Sequence, residues 1–366
     1  MSPLPDPTLA DLRRYAVARS LFPAVSLRRA IARLGFVQAD PMRAPARAQD
    51  LILAHRVAGY RAGDLERRYA SLPVEEAFFV NYGFLPREIV SLMHPRETPR
   101  DWDAAMRARG RDVLAFVRGR GPVRARDVQA HFDHGRIRRW GGELKVSAHI
   151  LEGLHYRGLL RVARREAGTR VYEAIEPASR GGGGTGGRIE RAERLVDTVV
   201  NLYAPLPAAS LGYLCALLRR YAAPHLTADL RRVQEQAESR YGHANVDGVS
   251  WLWPRGERPA RYQVGDALRF LSPFDPVVWD RRRFHLLWDW EYKFEAYLPA
   301  HQRQRGHYAM PVVWGDRVPG WVNLKVVGAR LEHELGFAGP PPRDRAFRRA
   351  LGRELDRMRD FLGLRS

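Results

Sequence analysis

Gln38 and Asp40, two polar side chains separated only by Ala39, are the part of the sequence best suited to chemistry. In an extended segment residues i and i+2 face the same side, so both would point into one cleft. An amide that orients a water molecule beside a carboxylate that activates it is a minimal hydrolytic pair. The spacing alone favours a structural alternative: Asp40 precedes Pro41 and would then be the N-cap of a helix.

Other signatures of catalysis are missing from the sequence. It contains no nucleophile elbow, no His-Glu-x-x-His, no Walker sequence and no zinc-ligand spacing, and its 12 histidines are scattered. The single cysteine, Cys215, excludes an internal disulfide and a thiolate metal cluster, and is typical of a reducing cytoplasm. We therefore expect a cytoplasmic protein with no cofactor, metal, signal peptide or transmembrane segment.

The net charge of the chain is strongly positive. Its 366 residues contain 61 Lys and Arg against 41 Asp and Glu, which gives +20 at pH 7. This surplus favours a polyanionic partner, most simply nucleic acid. The length predicts two or three domains, and a hydrophobic content of 45% excludes a wholly disordered chain.

Helical patterns dominate residues 1–100, the unit that carries the Gln-x-Asp motif. A capping-box pattern at Thr8 and Asp11 begins a first helix, and Gly35 ends a second one. An extended segment then leads to Pro41, which suits the first turn of a third helix running to Arg56.

Residues 101–178 have the plan of a winged helix-turn-helix unit. The pattern predicts three helices and then two strand-like runs, at 102–117, 125–132, 145–157, 159–162 and 170–175. The third helix would lie in the DNA major groove, and the hairpin, or wing, would approach the backbone. The same order of elements also occurs in proteins that bind no DNA.

Basic residues cluster around this third helix and wing, and joint phosphate binding explains them better than separate solvated positions. They are Arg136, Arg138, Arg139, Lys145, Arg161, Arg164 and Arg165. The Gly-rich stretch 179–188 lacks the Gly-Lys-Ser/Thr of a phosphate loop, so we predict a flexible linker there.

Two further parts follow the linker. Residues 189–262 are predicted as a second helical, winged-helix-like unit with a wing near 245–253, and 263–366 as a β-rich part closed by an amphipathic helix. Apolar residues alternate around 308–312 and 322–326, and aromatic residues alternate at Trp288, Trp290, Tyr292 and Phe294. The predicted fold class is α+β: tandem winged helix-turn-helix units, a β-rich C-terminal part and a closing helix.

The order of several short motifs resembles the winged-helix crosslink-repair DNA glycosylases, the YcaQ-like family, over almost the whole chain. That family has a Gln-apolar-Asp motif, matched here by Gln38 and Asp40, and its azinomycin-resistance branch has Gln-apolar-Gln. The further matches are Phe84-Leu85-Pro86, Gly121-Pro122-Val123-Arg124, Leu151-Glu152-Gly153-Leu154, Arg170-Val171-Tyr172 and Leu-Ser-Pro-Phe-Asp-Pro-Val-Val-Trp-Asp-Arg over 271–281. Well-known members also carry an aromatic-Ala-His sequence, but the corresponding stretch 78–83 has no histidine.

The resemblance implies hydrolysis of the N-glycosidic bond to an N7-alkylated or crosslinked guanine in double-stranded DNA. Such a guanine is already cationic and leaves without a protein acid, so one carboxylate suffices where an ordinary glycosidase needs two. Asp40 would deprotonate a water held by Gln38. We expect a monofunctional enzyme, since none of the three lysines lies near these residues in sequence to act as a nucleophile. The N-terminal amine is the alternative nucleophile.

Four more arginines are candidate DNA contacts: Arg43, Arg47, Arg56 and Arg281. For Arg47 and Arg56, a salt bridge to a nearby acid, Asp50 or Glu66, is an equal alternative. Asp275 and Asp280, in the matching segment 271–281, are secondary site candidates. We expect a monomer that needs no protein partner and no membrane. The alternative function is a non-catalytic winged-helix DNA-binding protein, such as a transcription regulator.

Overall fold

The computed structural model describes residues 6–96, 102–133, 135–139, 142–175 and 187–364. They form two compact units. The first comprises the described parts of 1–65, 196–215 and 234–366, and the second those of 66–195 and 216–233. No helix in these ranges is long and apolar enough to cross a membrane.

Helices and strands are mixed along the chain. The α-helices are α1 Leu9–Ser20, α2 Leu27–Leu34, α3 Ala48–Ala54, α4 Asp64–Arg68, α5 Arg87–Leu92, α6 Ala104–Arg120, α7 Ala125–Phe132, α8 Val146–Arg157, α9 Arg188–Tyr203, α10 Ala208–Leu217, α11 Thr227–Glu235, α12 Ala237–Arg240, α13 Arg281–Trp288 and α14 Arg345–Leu362. The strands are β1 Val37–Gln38, β2 Val74–Phe78, β3 Tyr82–Pro86, β4 Arg136–Arg139, β5 Gly142–Lys145, β6 Leu160–Glu166, β7 Thr169–Ala174, β8 Leu206–Pro207, β9 Gly242–Val246, β10 Val249–Trp253, β11 Leu268–Phe270, β12 Met310–Trp314, β13 Arg317–Val327 and β14 Arg330–Phe337.

Helix α1 packs into two apolar core clusters of the first unit. Its capping box is confirmed: Thr8 Oγ1 accepts the N–H of Asp11 at 3.2 Å, and Asp11 Oδ2 accepts that of Thr8 at 2.9 Å. Leu12 packs in one apolar cluster with Trp251 of β10, and Val17 packs in the other with residues of α13 and β12. The helix therefore joins the hairpin β9–β10 to the C-terminal part.

Helix α2 ends at Gly35, as predicted, where the chain turns into β1. Gly35 has a φ of +72°, and a Cβ at this position would lie 2.7 Å from Thr198 Cγ2. Only glycine tolerates both the left-handed backbone and this close approach to α9. Gly35 thus sets the direction in which the chain enters the Gln-x-Asp segment.

The C-terminal part contains a four-stranded antiparallel sheet in the order β11-β12-β13-β14, with α14 in contact with β11. The strands predicted around 308–312 and 322–326 and the closing helix are confirmed. The strand predicted through Trp288–Phe294 is wrong, because α13 ends at Trp288 and 289–299 is irregular. Trp290 and Tyr292 are buried by ring contacts with Phe284, at 5.8 and 6.1 Å between centroids, so alternating burial arises here without strand pairing.

In the second unit, α6, α7, α8 and the hairpin β6–β7 follow one another in the predicted order. Val123, between α6 and α7, pairs with Tyr172 of β7 in an isolated antiparallel bridge. A hairpin that the sequence did not predict, β4–β5, lies between α7 and α8. Its strands are short and rich in charge and glycine, so they lack the apolar alternation by which strands are found.

The elements of 189–262 follow a similar order. Helices α9, α10 and α11 precede the hairpin β9–β10, and β8 pairs with β10 to form a sheet in the order β8-β10-β9. The wing predicted near 245–253 is therefore present as a hairpin. The linker predicted over 179–188 lies outside the described residues except for its last two positions.

A fully buried ion pair holds three parts of the first unit together. Arg56 Nη1 and Nη2 donate to Asp275 Oδ2 and Oδ1 at 2.8 and 3.0 Å, and neither side chain is exposed. The guanidinium also donates to the carbonyl oxygens of Ser20 and Ile52 at 2.9 and 2.7 Å. The N–H of Val277 donates to Asp275 Oδ1 at 3.0 Å. The pair thus connects the end of α1, α3 and the segment before α13.

Removal of one partner of a buried ion pair leaves the other charge unpaired. Arg56→Met and Asp275→Asn are therefore each expected to lower the free energy of unfolding by about 3–5 kcal/mol. Chemical denaturation followed by circular dichroism measures this. Arg28→Ala, at an exposed position of α2, is the control and should stay within about 0.5 kcal/mol of wild type. Losses below about 1 kcal/mol in both pair variants would contradict this role.

Candidate active site

Asp40 does not cap a helix. The chain is irregular from Ala39 to Arg47, and α3 begins only at Ala48, so the helix predicted from Pro41 is wrong in its start, and it ends at Ala54 rather than Arg56. Pro45 lacks the N–H that a helix through this segment would need. The structural alternative for Asp40, an N-cap, is thereby removed.

The backbone and the carboxylate of Asp40 are both held in place. Its N–H donates to Oε1 of the buried Gln49 at 3.3 Å, and its Oδ1 accepts the N–H of Met42 at 2.9 Å. Half-burial raises the pKa of Asp40 above the usual aspartate value, and the Met42 hydrogen bond opposes this only in part. A carboxylate with a raised pKa is a stronger base than an ordinary one, as a group that takes a proton from water must be.

Gln38 lies on β1, two residues before Asp40, and is only 4% exposed. Its Oε1 accepts no hydrogen bond from any residue that the structure describes. A buried acceptor without a partner is costly, so its presence needs an explanation. A bound water or a substrate group would satisfy it, which is what the predicted role of Gln38 requires.

A hydrogen bond joins Tyr308 and Ser272, two residues of the same compact unit as Asp40. The N–H of Phe274 donates to Ser272 Oγ at 3.2 Å, and Ser272 Oγ and the Tyr308 hydroxyl are hydrogen-bonded at 3.3 Å. Burial raises the pKa of Tyr308, and the negative charge of Asp40 acts in the same direction. The sequence indicated Ser272 only through the matching segment 271–281, and Tyr308 only as a residue of a sheet face.

Two arginines predicted to bind phosphate have structural roles instead. Arg56 is 0% exposed and all three of its side-chain nitrogens are bonded within the protein, so it contacts no phosphate. The salt-bridge alternative is right in kind, but the partner is Asp275. Arg281 donates to the carbonyl oxygens of Pro273 and Val278 and lies over the Tyr292 ring, so it holds the segment before α13 in shape.

Arg165 is a third correction. Its Nε and Nη2 donate to the carboxylate of the buried Glu76 at 2.7 and 2.6 Å, and its Nη1 donates to the Gly168 carbonyl at 3.0 Å. Three of its five N–H donors are thus used inside the unit, and its side chain is only 16% exposed. Arg165 therefore fastens the hairpin β6–β7 to the strand β2.

The other residues predicted to contact DNA differ in exposure and in ion pairing. Arg43, Arg136 and Lys145 are exposed, and Arg47 is half-buried at the N-cap position of α3. Two arginines of β6 form surface ion pairs: Arg161 with Glu173 at 2.5 Å and Arg164 with Glu166 at 2.7 Å. Arg138 and Arg139 lie on β4, and their side chains are outside the described part of the structure.

The secondary candidates of the segment 271–281 are also placed. Asp275 is the buried partner of Arg56, and Asp280 caps α13 by accepting the N–H of Arg283 at 3.1 Å. Within the described ranges, no cluster of three or more His, Cys, Asp or Glu side chains could hold a metal ion.

Comparison with known proteins shows the family to which the chain belongs. A family model described as DNA glycosylase AlkZ-like matches residues 31–361, which makes this a DNA-binding protein of DNA repair, a DNA glycosylase. The chain belongs to the AlkZ-like DNA glycosylase family, as the order of its motifs predicted. The solved structure of the Streptomyces sahachiroi DNA glycosylase AlkZ shares the fold, with a TM-score of 0.65, 15% sequence identity and 98% of each chain covered.

Gln49 is expected to control the basicity of Asp40. Gln49→Glu places a second carboxylate beside Asp40, which raises the pKa of Asp40 further, so the acid limb of kcat/KM for base excision should move up by about one pH unit. Gln49→Leu removes the acceptor without adding charge and should lower kcat about tenfold with the limb unmoved. Gln263→Glu, at an exposed position, is the control. Coincident pH profiles for wild type and Gln49→Glu would contradict this role.

Proposed function

We propose that this DNA glycosylase hydrolyses the N-glycosidic bond of N7-alkylguanine in double-stranded DNA, crosslinked guanine included. Asp40 would act as the base and Gln38 would hold the attacking water. The observation that supports this most directly is Asp40 itself, a half-buried carboxylate whose pKa is raised by burial and which caps no helix. Gln38, two residues earlier, offers a buried acceptor that no described residue satisfies.

The reaction needs one proton acceptor on the protein. Water donates one hydrogen bond to Gln38 Oε1 and transfers a proton to Asp40 as its oxygen bonds to C1′ of the sugar. The C1′–N9 bond breaks, and its electron pair neutralises the positive charge of the alkylated base, so no protein acid is required. The Asp40 carboxylate also stabilises the oxocarbenium-like sugar as positive charge develops on it.

We also propose that the enzyme is monofunctional. Strand cleavage by a glycosylase needs an amine that forms a Schiff base with the sugar. Of the three lysines, Lys145 lies on β5 in the second unit, Lys293 pairs with Glu291 at 3.0 Å and Lys325 is exposed on β13. In the described part of the first unit, neither Lys293 nor Lys325 bonds to Gln38 or Asp40.

For DNA binding we propose tandem winged helix-turn-helix units over 101–178 and 189–262, with the N-terminal unit 1–100 and the β-rich part 263–366 around the chemistry. The order of helices and hairpins in both stretches supports this. The remaining phosphate contacts would be Arg43, Arg47, Arg136, Arg138, Arg139, Lys145, Arg161 and Arg164. The protein would bind as a monomer.

A strand-scission assay tests the proposed function. The protein is incubated with a duplex carrying one 7-methylguanine, or one guanine crosslink, and abasic sites are then cleaved with alkali. We expect cleavage at the lesion only after alkali. Binding without cleavage on either substrate would favour the non-catalytic DNA-binding alternative, and cleavage without alkali would contradict monofunctional chemistry.

Asp40→Asn should lower the single-turnover excision rate by about 10²–10⁴-fold, because an amide takes no proton from water. Its melting temperature at pH 7 should be unchanged or higher. Since burial raises the pKa of Asp40, its charge opposes folding at neutral pH, and the gain should vanish below the ordinary aspartate pKa of about 3.9. Gln38→Ala should lower the rate with duplex affinity retained. Asp266→Asn, 75% exposed, is the control.

Arg164 and Arg165, which are neighbours on β6, are expected to differ in role: Arg164 binds DNA phosphate, whereas Arg165 stabilises the fold. Arg164→Ala and Lys145→Ala should weaken duplex binding for all sequences and reduce the slope of log K against log salt by about 0.9 for each lost phosphate contact. Arg165→Ala should instead lower the melting temperature, because it strands the buried Glu76. Fluorescence anisotropy at several salt concentrations measures the first effect. An unchanged slope in both binding variants would contradict the assigned interface.

A further inference from the structure

The first unit exposes two large apolar side chains side by side. Tyr297 is 78% exposed and its neighbour Leu298 is 40% exposed. Single exposed apolar residues are ordinary, and they indicate a binding site only as part of a larger apolar surface, so the neighbours of this pair matter. The residues that pack against Tyr297, and the charges around it, indicate which kind of ligand this surface binds.

Inside the protein, Tyr297 is the outer end of a chain of aromatic contacts that reaches Tyr308, the partner of Ser272. Its ring lies 5.9 Å from that of Phe294, and Phe294 lies 5.4 Å from Tyr308. Phe274 completes the group at 5.2 Å from Phe294. We call Phe274, Phe294 and Tyr297 the aromatic ledge. Both phenylalanines are half-buried, so part of each ring remains accessible.

The turn that carries Tyr297 is held firmly. Glu295, only 4% exposed, accepts the N–H of Arg305 at 2.7 Å and its Nη1 at 3.2 Å. The N–H of Leu298 donates to the Glu295 carbonyl at 3.0 Å, and Arg303 Nε donates to the Leu298 carbonyl at 2.8 Å. An exposed ring on such an anchored turn loses little entropy when a ligand stacks on it.

The polar side chains beside the ledge favour a nucleic-acid ligand over an apolar protein. Residues 296–308 contain no acidic residue, and His301 and His307 are exposed there, while Arg305 is paired with Glu295 and Arg303 bonds to the Leu298 carbonyl. Aromatic rings next to cationic side chains are how proteins hold unstacked bases of a nucleic-acid strand. An N7-alkylguanine carries positive charge in its ring, which further favours electron-rich aromatic faces.

We propose that the aromatic ledge is the binding site for the alkylated purine after it leaves the base stack. Tyr297 makes the outermost contact, and the base lies along Phe294 toward Tyr308 with its sugar beside Asp40. This rests on the proposed function, because it takes Asp40 as the catalytic residue. The ledge determines preference for damaged over undamaged DNA.

The test compares binding in the full-length Asp40→Asn protein, whose excision is expected to be about 10²–10⁴-fold slower than that of wild type. The affinity for a duplex with one 7-methylguanine is divided by that for the same duplex with guanine. Tyr297→Ala should lower this ratio about tenfold and leave the affinity for undamaged duplex within about twofold. Tyr297→Phe and Tyr297→Trp should retain the ratio. Tyr213→Ala removes another exposed tyrosine, 59% exposed and stacked on Trp279, and should leave the ratio unchanged.

Several outcomes would overturn the proposal. The first is an unchanged affinity ratio in Tyr297→Ala, and the second is an equal loss of the ratio in Tyr213→Ala. The third is a dimer, seen by sedimentation, that only Tyr297→Ala dissociates; the ledge would then be a self-association surface. Fluorescence quenching of 2-aminopurine in a single-stranded oligonucleotide tests the aromatic ledge independently of the proposed function. Quenching that Tyr297→Ala abolishes, with no excision by wild type, would contradict the proposed function and keep the ledge. If excision depends on Asp40 but Tyr297→Ala leaves the affinity ratio unaltered, the proposed function is supported and the ledge proposal is contradicted.

Discussion

The buried ion pair between Arg56 and Asp275 is the interaction on which the site geometry depends. Two charges without solvent are stable only if every donor and acceptor is bonded, and here the guanidinium also binds the end of α1 and α3. Gln49, which holds the backbone of Asp40, lies on α3, and Ser272, which bonds Tyr308, lies three residues before Asp275. The pair therefore links both sides of the surroundings of Asp40.

Local elements could be predicted from the sequence, whereas this link could not. The capping box at Thr8, the end of α2 at Gly35 and the hairpin β6–β7 depend on residues close together in the chain. Arg56 and Asp275 are 219 positions apart, so spacing offered only Asp50 or Glu66 as partners. The irregular segment after Trp288 was predicted as a strand for a related reason, because its alternation comes from packing on Phe284 and not from a neighbouring strand.

The same limit applies to the positive charge. Composition predicted a polyanionic partner, and family membership agrees, but composition cannot separate arginines at the surface from those in the interior. Arg165 and Arg281 lie in motif-rich, basic stretches and yet bond to Glu76 and to backbone carbonyls. Arg283 likewise donates to four carbonyl oxygens while 1% exposed. Arginine serves both purposes because its five donors match carbonyls as well as phosphates.

The proposed mechanism requires that Asp40 and Gln38 face the sugar of the damaged nucleotide. A crystal structure of the Asp40→Asn variant with a duplex containing a 2′-fluoro 7-methylguanine nucleotide tests this directly, since that nucleotide resists hydrolysis. We expect one water within about 3.2 Å of both Gln38 Oε1 and the side-chain amide oxygen that replaces the carboxylate in this variant, and about 3–3.5 Å from C1′. A C1′ atom too distant for a single water to bridge to residue 40 would contradict the mechanism.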